Sequence, residues 1–328
     1  MIDFRYHLVS IIAVFLALAV GLVVGSTALS GKAEEALSAA QHKALADNAA
    51  LTKERNLLRQ VLAGDEAFAT ASAGRLLDGL LTGERVVLVA APGADSAVLS
   101  GLTTALRQAG ATITGQVSLT SAFTTTSGQN EAVLSQLAQS LAAEAGLALT
   151  PDPGSQVAGQ QAAAQVLAAS LVSGSASLTS SASDEILAGF SQNGYVSVDS
   201  GAPAAAPAEL AVLVTPGGPP PQTASAVLVA VAQELKAAGS ATVMAGAASS
   251  IGTGSAISAE NSAGPAVSTV DDADTEIGQI LVVQALRYLL DGKSPTAYGA
   301  QPAAAPSPAP VPGTTPKPGA SPTVKSHS

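Results

Sequence analysis

The densest group of side chains that could do chemistry is a run of acids in residues 267–279, between a predicted strand and a predicted helix. An open α/β sheet places its binding sites at such a position. Four carboxylates could bind a hard cation through oxygen. They could equally cap the helix and complement its dipole, and we favour capping because acidic helix starts are common without any metal. We therefore predict no metal site; the four acids are Asp271, Asp272, Asp274 and Glu276.

Side chains for nucleophilic or redox chemistry are scarce in this sequence. The chain has no Cys, and its three His residues are His7, His42 and His327. A Ser-His-Asp site between residues 84 and 298 would therefore lack its base. Motifs such as GxSxG, HExxH and the phosphate-binding P-loop are also missing. We predict a protein that is not an enzyme, with no catalytic residue and no cofactor.

The charge balance excludes one class of partner. The formal net charge is −10, and charged residues make up only 12% of the chain. A nucleic-acid-binding protein needs a basic surface that neutralises phosphates. We therefore predict no nucleic-acid partner.

An apolar segment near the N-terminus indicates a membrane protein. Residues 8–25 contain one polar side chain, Ser10, and are long enough to form a membrane-spanning helix. Arg5 precedes the segment, which predicts that residues 1–7 are cytoplasmic and that the remainder lies outside the cytoplasm. A cleaved signal peptide is the alternative, with small residues at 26–28 as its cleavage site. We favour an uncleaved anchor in lipid, because the apolar run exceeds a usual signal core.

Two spacings predict a parallel homodimer. Gly21 and Gly25, four residues apart in the span, would let two helix backbones approach closely. A heptad repeat in residues 30–62 indicates a coiled-coil stalk, although a single amphipathic helix packed on the domain is the alternative. The heptad residues are Leu37, Ala44, Leu51 and Leu58.

The stalk is expected to stop before the next domain. Gly64 and Asp65 are predicted to end its helix, because Gly is a poor helix former. A second short helix is predicted over residues 68–81.

Short apolar runs alternate with helical segments through residues 84–298. The run 85–91 is continuously apolar, as in a strand that is buried on both faces. A helix follows, Gly110 ends it, and residues 111–119 form the next strand. The same alternation recurs over residues 194–290. We predict an α/β fold with a mostly parallel sheet and helices on both faces.

The last segment has a different composition. Residues 299–328 are rich in Pro, Ala and Ser. Such a segment cannot bury enough apolar surface to fold, so we predict a disordered tail.

Two segments resemble a known family. The opening, residues 1–25, is similar to the start of the MctB family, an actinobacterial envelope family named for copper transport. Residues 267–275, continuing to Gly278-Gln279, resemble its second signature, and the stalk, the Gly194-Tyr195 strand and the Pro-rich tail fit the same family. The resemblance extends from residue 1 to about residue 298. It implies membrane attachment, an extracytoplasmic α/β domain and a role in copper efflux or homeostasis.

The resemblance leaves two functions open. One is copper handling, and the alternative is a dimeric scaffold that binds an envelope partner in cell-wall remodelling or cell division. Copper is bound by thiolate, thioether and imidazole groups. Beyond the span only Met244, His42 and His327 supply such groups. We therefore predict that residues 84–298 do not bind copper themselves.

Overall fold

One continuous helix, α1 (Phe4–Leu77), forms the N-terminal part of the computed structural model, which describes residues 4–152, 154–173, 178–198, 207–218 and 221–301. The predicted helix end at Gly64 and the separate helix over residues 68–81 are therefore wrong. No Pro occurs in this segment. A single Gly in a helix costs only about 1 kcal/mol, so Gly64 does not stop α1.

The chain divides into two units, Met1–Asp65 and Glu66–Ser328. Within the first unit, Tyr6–Gly25 has a mean hydropathy of 2.9 and is long and apolar enough to cross a membrane. This confirms the prediction of one apolar N-terminal helix. The heptad leucines Leu37, Leu51 and Leu58 are 60%, 62% and 56% exposed. The coiled coil and the limits of the stalk, residues 30–62, stay predictions.

The second unit contains a seven-stranded sheet in the order β3-β2-β1-β4-β5-β6-β7. Only the β2–β3 pair is antiparallel. The strands are β1 (Arg85–Ala90), β2 (Thr112–Leu119), β3 (Val196–Val198), β4 (Leu210–Val214), β5 (Ala241–Ala245), β6 (Ser268–Val270) and β7 (Ala297–Tyr298). Every residue of β4 and β5 is buried, which explains their continuous apolar sequences. The predicted mostly parallel sheet is confirmed.

Helices cover both faces of this sheet. The remaining helices are α2 (Ser96–Gln108), α3 (Ser121–Thr124), α4 (Gly128–Ala145), α5 (Ala158–Leu171), α6 (Ser180–Gln192), α7 (Gln222–Ala238), α8 (Ala256–Ala263) and α9 (Glu276–Leu290). One core contains the buried side chains of α2, α9 and the end of α1, where Ala73 and Leu77 are buried. The other contains those of α4, α5, α6 and α7. Alternate residues of β1 point into each core, with Leu88 in the first and Val89 in the second.

Four short elements were not expected from the sequence. They are α3, a 3₁₀-helix (Ala248–Ser250), α8 and β7, and β7 ends at the buried ring of Tyr298. Their shortness explains the omission, because a periodicity needs several turns or pairs to be recognised. Most of the predicted tail, residues 302–328, lies outside the described residues, whereas residues 299–301 follow β7 directly.

Gly278, in the first turn of α9, provides a test of this packing. A Cβ atom there would overlap the backbone of Asp272 and lie 2.8 Å from the backbone nitrogen of Ala273. We expect Gly278→Ala to lower the free energy of unfolding by about 3 kcal/mol or more, because backbone cannot move aside as a flexible side chain can. Urea unfolding of the full chain, followed by circular dichroism, measures the change.

Gly74→Ala is the matched control. Gly74 also lies in a helix, but nothing surrounds its Cβ position within 4 Å. Since Ala is the better helix former, this change should stabilise the protein by up to about 1 kcal/mol. Equal effects of the two substitutions would contradict the close approach at Gly278.

Candidate functional site

The acidic segment joins β6 to α9 at the carboxyl edge of the sheet. β6 ends at Val270 and α9 begins at Glu276, so residues 271–275 form the connecting loop. The backbone N–H of Ala273 donates to the carbonyl of Gly246, which directly follows β5, at 2.8 Å. Ligands of open α/β sheets bind at this edge. The sequence therefore placed the acids correctly within the fold.

The residue that caps α9 is Thr275, and none of the three aspartates does so. The Thr275 hydroxyl oxygen accepts from the N–H of Gly278 at 3.0 Å. The same hydroxyl donates to the Asp272 carbonyl at 2.8 Å. The predicted capping role of Asp271, Asp272 and Asp274 is therefore wrong, because a threonine occupies the position from which a side chain reaches the first turn.

Asp271 instead binds the backbone that follows β7. The residue is 1% exposed. Its Oδ1 accepts from the N–H of Ala300 at 2.7 Å, and its Oδ2 accepts from the N–H of Gln301 at 3.1 Å. Burial raises the pKa of Asp271, and these two hydrogen bonds oppose the rise. Gly299 has a φ of +122°, and a Cβ there would collide with Oδ1 of Asp271. The carboxylate thus holds the start of the C-terminal segment.

The other acids of the loop also contact separate segments. The exposed Asp274 accepts from the N–H of Ala248, in the loop after β5, at 2.9 Å. At Glu276 the backbone takes part, since its N–H donates to Oε2 of Glu66 at 2.9 Å. Glu66 belongs to α1 and supplies a negative charge at the start of α9, where the helix dipole favours one.

Asp272 is the acid whose charge is least compensated. Its Oδ1 is buried and has no hydrogen-bond partner among the residues that the structure describes. Burial raises the pKa of Asp272 to about 6, and the nearby charges of Asp271, Asp274 and Glu66 contribute to the rise. A carboxyl in this setting remains partly protonated in mildly acidic solution, unlike an ordinary Asp.

Within the described ranges, no three His, Cys, Asp or Glu side chains are grouped so that they could hold a metal ion. The oxygens of Asp271 and Asp274 bind amides of different segments instead. Among side chains that copper prefers, Met244 is fully buried in β5, and His7 and His42 are exposed on α1. The loop is a structural junction of the carboxyl edge.

Sequence reasoning missed Glu66, Gly246 and Gly299 as parts of this junction. Glu66 lies 210 residues from the amide that it binds. No local pattern indicates such a pairing, because it depends on how α1 and α9 pack. The sequence also does not show which of its 31 glycines lie in tight contacts.

Comparison with known proteins gives one family. A family model described as "Copper transport outer membrane protein, MctB" matches residues 1–308. A protein of Mycobacterium tuberculosis (strain H37Rv), named "Copper transporter MctB", is 30% identical in an alignment over 312 residues that covers 91% of this chain and 96% of that protein. A protein of the same name from Mycobacterium leprae is 30% identical in an alignment over 319 residues, which again covers 91% of this chain and 96% of the relative. The resemblance predicted from residues 1–25 and 267–279 is confirmed.

Two neighbouring aspartates should respond to the same substitution with opposite signs. Asp272→Asn removes a poorly compensated charge. The rise of its pKa from 3.8 to about 6 corresponds to at most ~3 kcal/mol. Because Asp272 is partly exposed and solvent screens its charge, we expect the substitution to raise the free energy of unfolding at pH 7 by about 1–2 kcal/mol. Asp271→Asn replaces one of two accepting oxygens by an amide, and should lower the free energy of unfolding by about 1–3 kcal/mol. Urea unfolding of the full chain provides both values.

The pH dependence gives an independent check of Asp272. Unfolded Asp ionises near pH 4, whereas the folded group ionises near pH 6 because its pKa is raised to about 6. Between these values the unfolded state releases a proton that the folded state retains, so this group makes stability fall as the pH rises. Asp272→Asn should remove that part of the slope. An unchanged slope between pH 4 and 6 would show that Asp272 is not the group responsible.

Proposed function

We propose a role in copper homeostasis for this chain, which belongs to the MctB family. The supporting observation is the extent of the match, 91% of this chain and 96% of the relatives that carry the name "Copper transporter MctB". The family model matches residues 1–308, a range that includes the apolar helix, residues 30–62 and the α/β unit together. We therefore assign the function to the whole chain and not to a single shared segment.

The protein is anchored in a membrane of the cell envelope by its first helix. Every described side chain of Tyr6–Gly25 is exposed, including Leu16 at 64% and Leu22 at 71%. Such a row of bare apolar side chains is unfavourable in water and favourable in lipid. Arg5 on the short preceding segment favours a cytoplasmic N-terminus and an extracytoplasmic α/β unit.

The α/β unit acts without binding copper itself and without catalysis. Copper is bound by imidazole and sulfur ligands. Met244 lies at 0% exposure within the sheet, and the described residues offer no His near it. Cys is missing from the sequence altogether. The protein therefore contributes to copper handling by assembly with other envelope components that carry the metal.

The chain assembles as a parallel dimer through its span and stalk. The heptad leucines Leu37, Leu51 and Leu58 form a bare apolar row on α1. In the span, the Cβ positions of Gly21 and Gly25 are open, which permits close approach of a second helix. Two chains inserted in the same membrane direction would place both features side by side.

Growth in copper tests the proposed function. A strain that lacks the gene should become sensitive to copper, and the full chain should restore growth. A double variant, His42→Ala with Met244→Leu, should restore growth equally well, because copper is not bound by these side chains; Leu conserves the volume of the buried Met.

Two other outcomes would contradict this proposal. Growth in copper that is unaffected by the deletion, together with defective septa under the microscope, would favour the alternative scaffold in cell-wall remodelling or cell division. Loss of complementation in the double variant, with normal amounts of protein, would indicate direct copper binding.

A soluble form without residues 1–25 should fail to restore growth.

Cysteine cross-linking tests the dimer in a chain that has no Cys of its own. A Cys in place of Leu51, on the heptad row, should form a disulfide with its counterpart in membranes under mild oxidation. A Cys in place of Lys53 is the matched control, because that position lies off the row, and it should cross-link poorly. Equal cross-linking at both positions, or none at Leu51, would exclude a parallel coiled coil.

A further inference from the structure

A cavity lies where the direction of the sheet connections reverses. β1 and β4 are neighbours and parallel, but β1 continues through α2 to β2 on one side, whereas β4 continues through α7 to β5 on the other. The connections that follow β1 and β4 diverge beyond the carboxyl ends of these strands, and a crevice opens between them. The cavity in this crevice measures about 410 Å³, within the range of small-molecule sites.

The wall of this cavity combines hydroxyl groups with apolar surface. Three prolines, Ala224 and Leu228 supply the apolar part, and two serines and four threonines supply the hydroxyl groups. The described part of the wall contains no charged side chain. The lining residues are Pro92, Ser121, Thr124, Thr125, Thr126, Ser127, Pro216, Pro221, Thr223, Ala224 and Leu228.

The loop that carries most of the hydroxyl groups is held from behind. Asn130 donates through Nδ2 to the carbonyls of Ala122 and Thr125, both at 2.8 Å. Gln160, which is fully buried in α5, donates to the same Thr125 carbonyl at 3.0 Å. The hydroxyl groups of Thr124 and Thr125 donate to the carbonyl of Ser121. Several carbonyl acceptors of this loop are therefore already occupied, and its conformation is set before any ligand arrives.

Hydrogen-bond donors remain available at the cavity. In the described part of the chain, no group binds the hydroxyls of Thr126, Ser127 or Thr223, as no hydrogen bond of these side chains occurs there. Helices α4 and α7 both begin at the cavity, and neither has a side-chain cap. Their first-turn N–H groups add further donors. The wall thus offers backbone N–H donors, hydroxyl groups that can donate as well as accept, and no acidic side chain among its lining residues, and such a wall suits a ligand that presents oxygen acceptors.

We propose that this crevice binds a small organic molecule that carries one oxyanion group, a phosphate or a carboxylate, on an apolar body. The oxyanion accepts hydrogen bonds from the Thr126, Ser127 and Thr223 side of the cavity. The apolar body packs against Pro92, Pro216 and Leu228. This site is independent of the proposed role in copper homeostasis, and it gives the α/β unit a ligand of its own.

Fluorine NMR of a small probe tests the site on the full chain in phosphatidylcholine nanodiscs. The probe is 4-fluorophenyl phosphate, and its signal should broaden with the protein but not with empty nanodiscs. Thr223→Phe and Ser127→Phe each fill the cavity from an exposed position, and each should abolish the broadening. Thr253→Phe is the matched control, because Thr253 is also exposed but lines a different cavity, and it should leave the broadening unchanged.

Neutral and inorganic probes separate the parts of the proposal. We expect 4-fluorobenzyl alcohol to broaden far less than the phosphate, and inorganic phosphate to compete only weakly, since it lacks the apolar body. No broadening with the unmodified chain would overturn the proposal. The proposal would also be overturned if the phosphate signal still broadened with both cavity-filling variants. It would likewise be overturned if 4-fluorobenzyl alcohol broadened as much as the phosphate probe. Circular dichroism of both variants shows that a lost signal does not come from unfolding.

Discussion

A parallel sheet whose central strands are buried on both faces imposes the main constraint on this molecule. β4 and β5 expose no residue, so every side chain on either face must be covered by a helix. The chain meets this requirement on one face with α2, α9 and the end of α1, and on the other with α4 to α7. Burial of apolar surface on this scale is the dominant favourable term in folding.

Close helix packing explains the composition of the covering layers. Small side chains allow backbones to approach, and at several glycines no Cβ atom fits. Gly159 approaches Glu131, and Gly189 approaches Leu141. Large cavities would be costly in such layers. One cavity lies between α4 and α5. Another lies at the carboxyl edge, where the connections diverge and the side chains of the loops decide the chemistry.

Polar chemistry at that edge divides into two parts with different roles. Around Asp271 and Glu66, carboxylates bind backbone amides of distant segments and hold the edge together. At the crevice beyond β1 and β4, hydroxyl donors are left without partners among the described residues. Neither part offers the imidazole and sulfur groups that copper prefers.

The sequence by itself determined those features that depend on local periodicity. The apolar segment 8–25, the buried strand at 85–91 and the helix that follows it are each encoded by neighbouring residues, and the structure contains all three. Family membership was also readable, because residues 1–25 and 267–279 are contiguous motifs. The long helix was misjudged at Gly64, since one glycine is a weak signal against the surrounding helix formers.

Only the tertiary structure decided which groups meet. Glu66 and the amide of Glu276 are 210 residues apart, and Asp271 reaches the N–H groups of Ala300 and Gln301 because β7 pairs with β6. The crevice exists because β1 and β4 are neighbours, although more than one hundred residues separate them in sequence. Such contacts follow from strand order and helix packing. A local sequence pattern does not determine strand order or helix packing. Both depend on how the apolar faces of all the helices and strands are buried together.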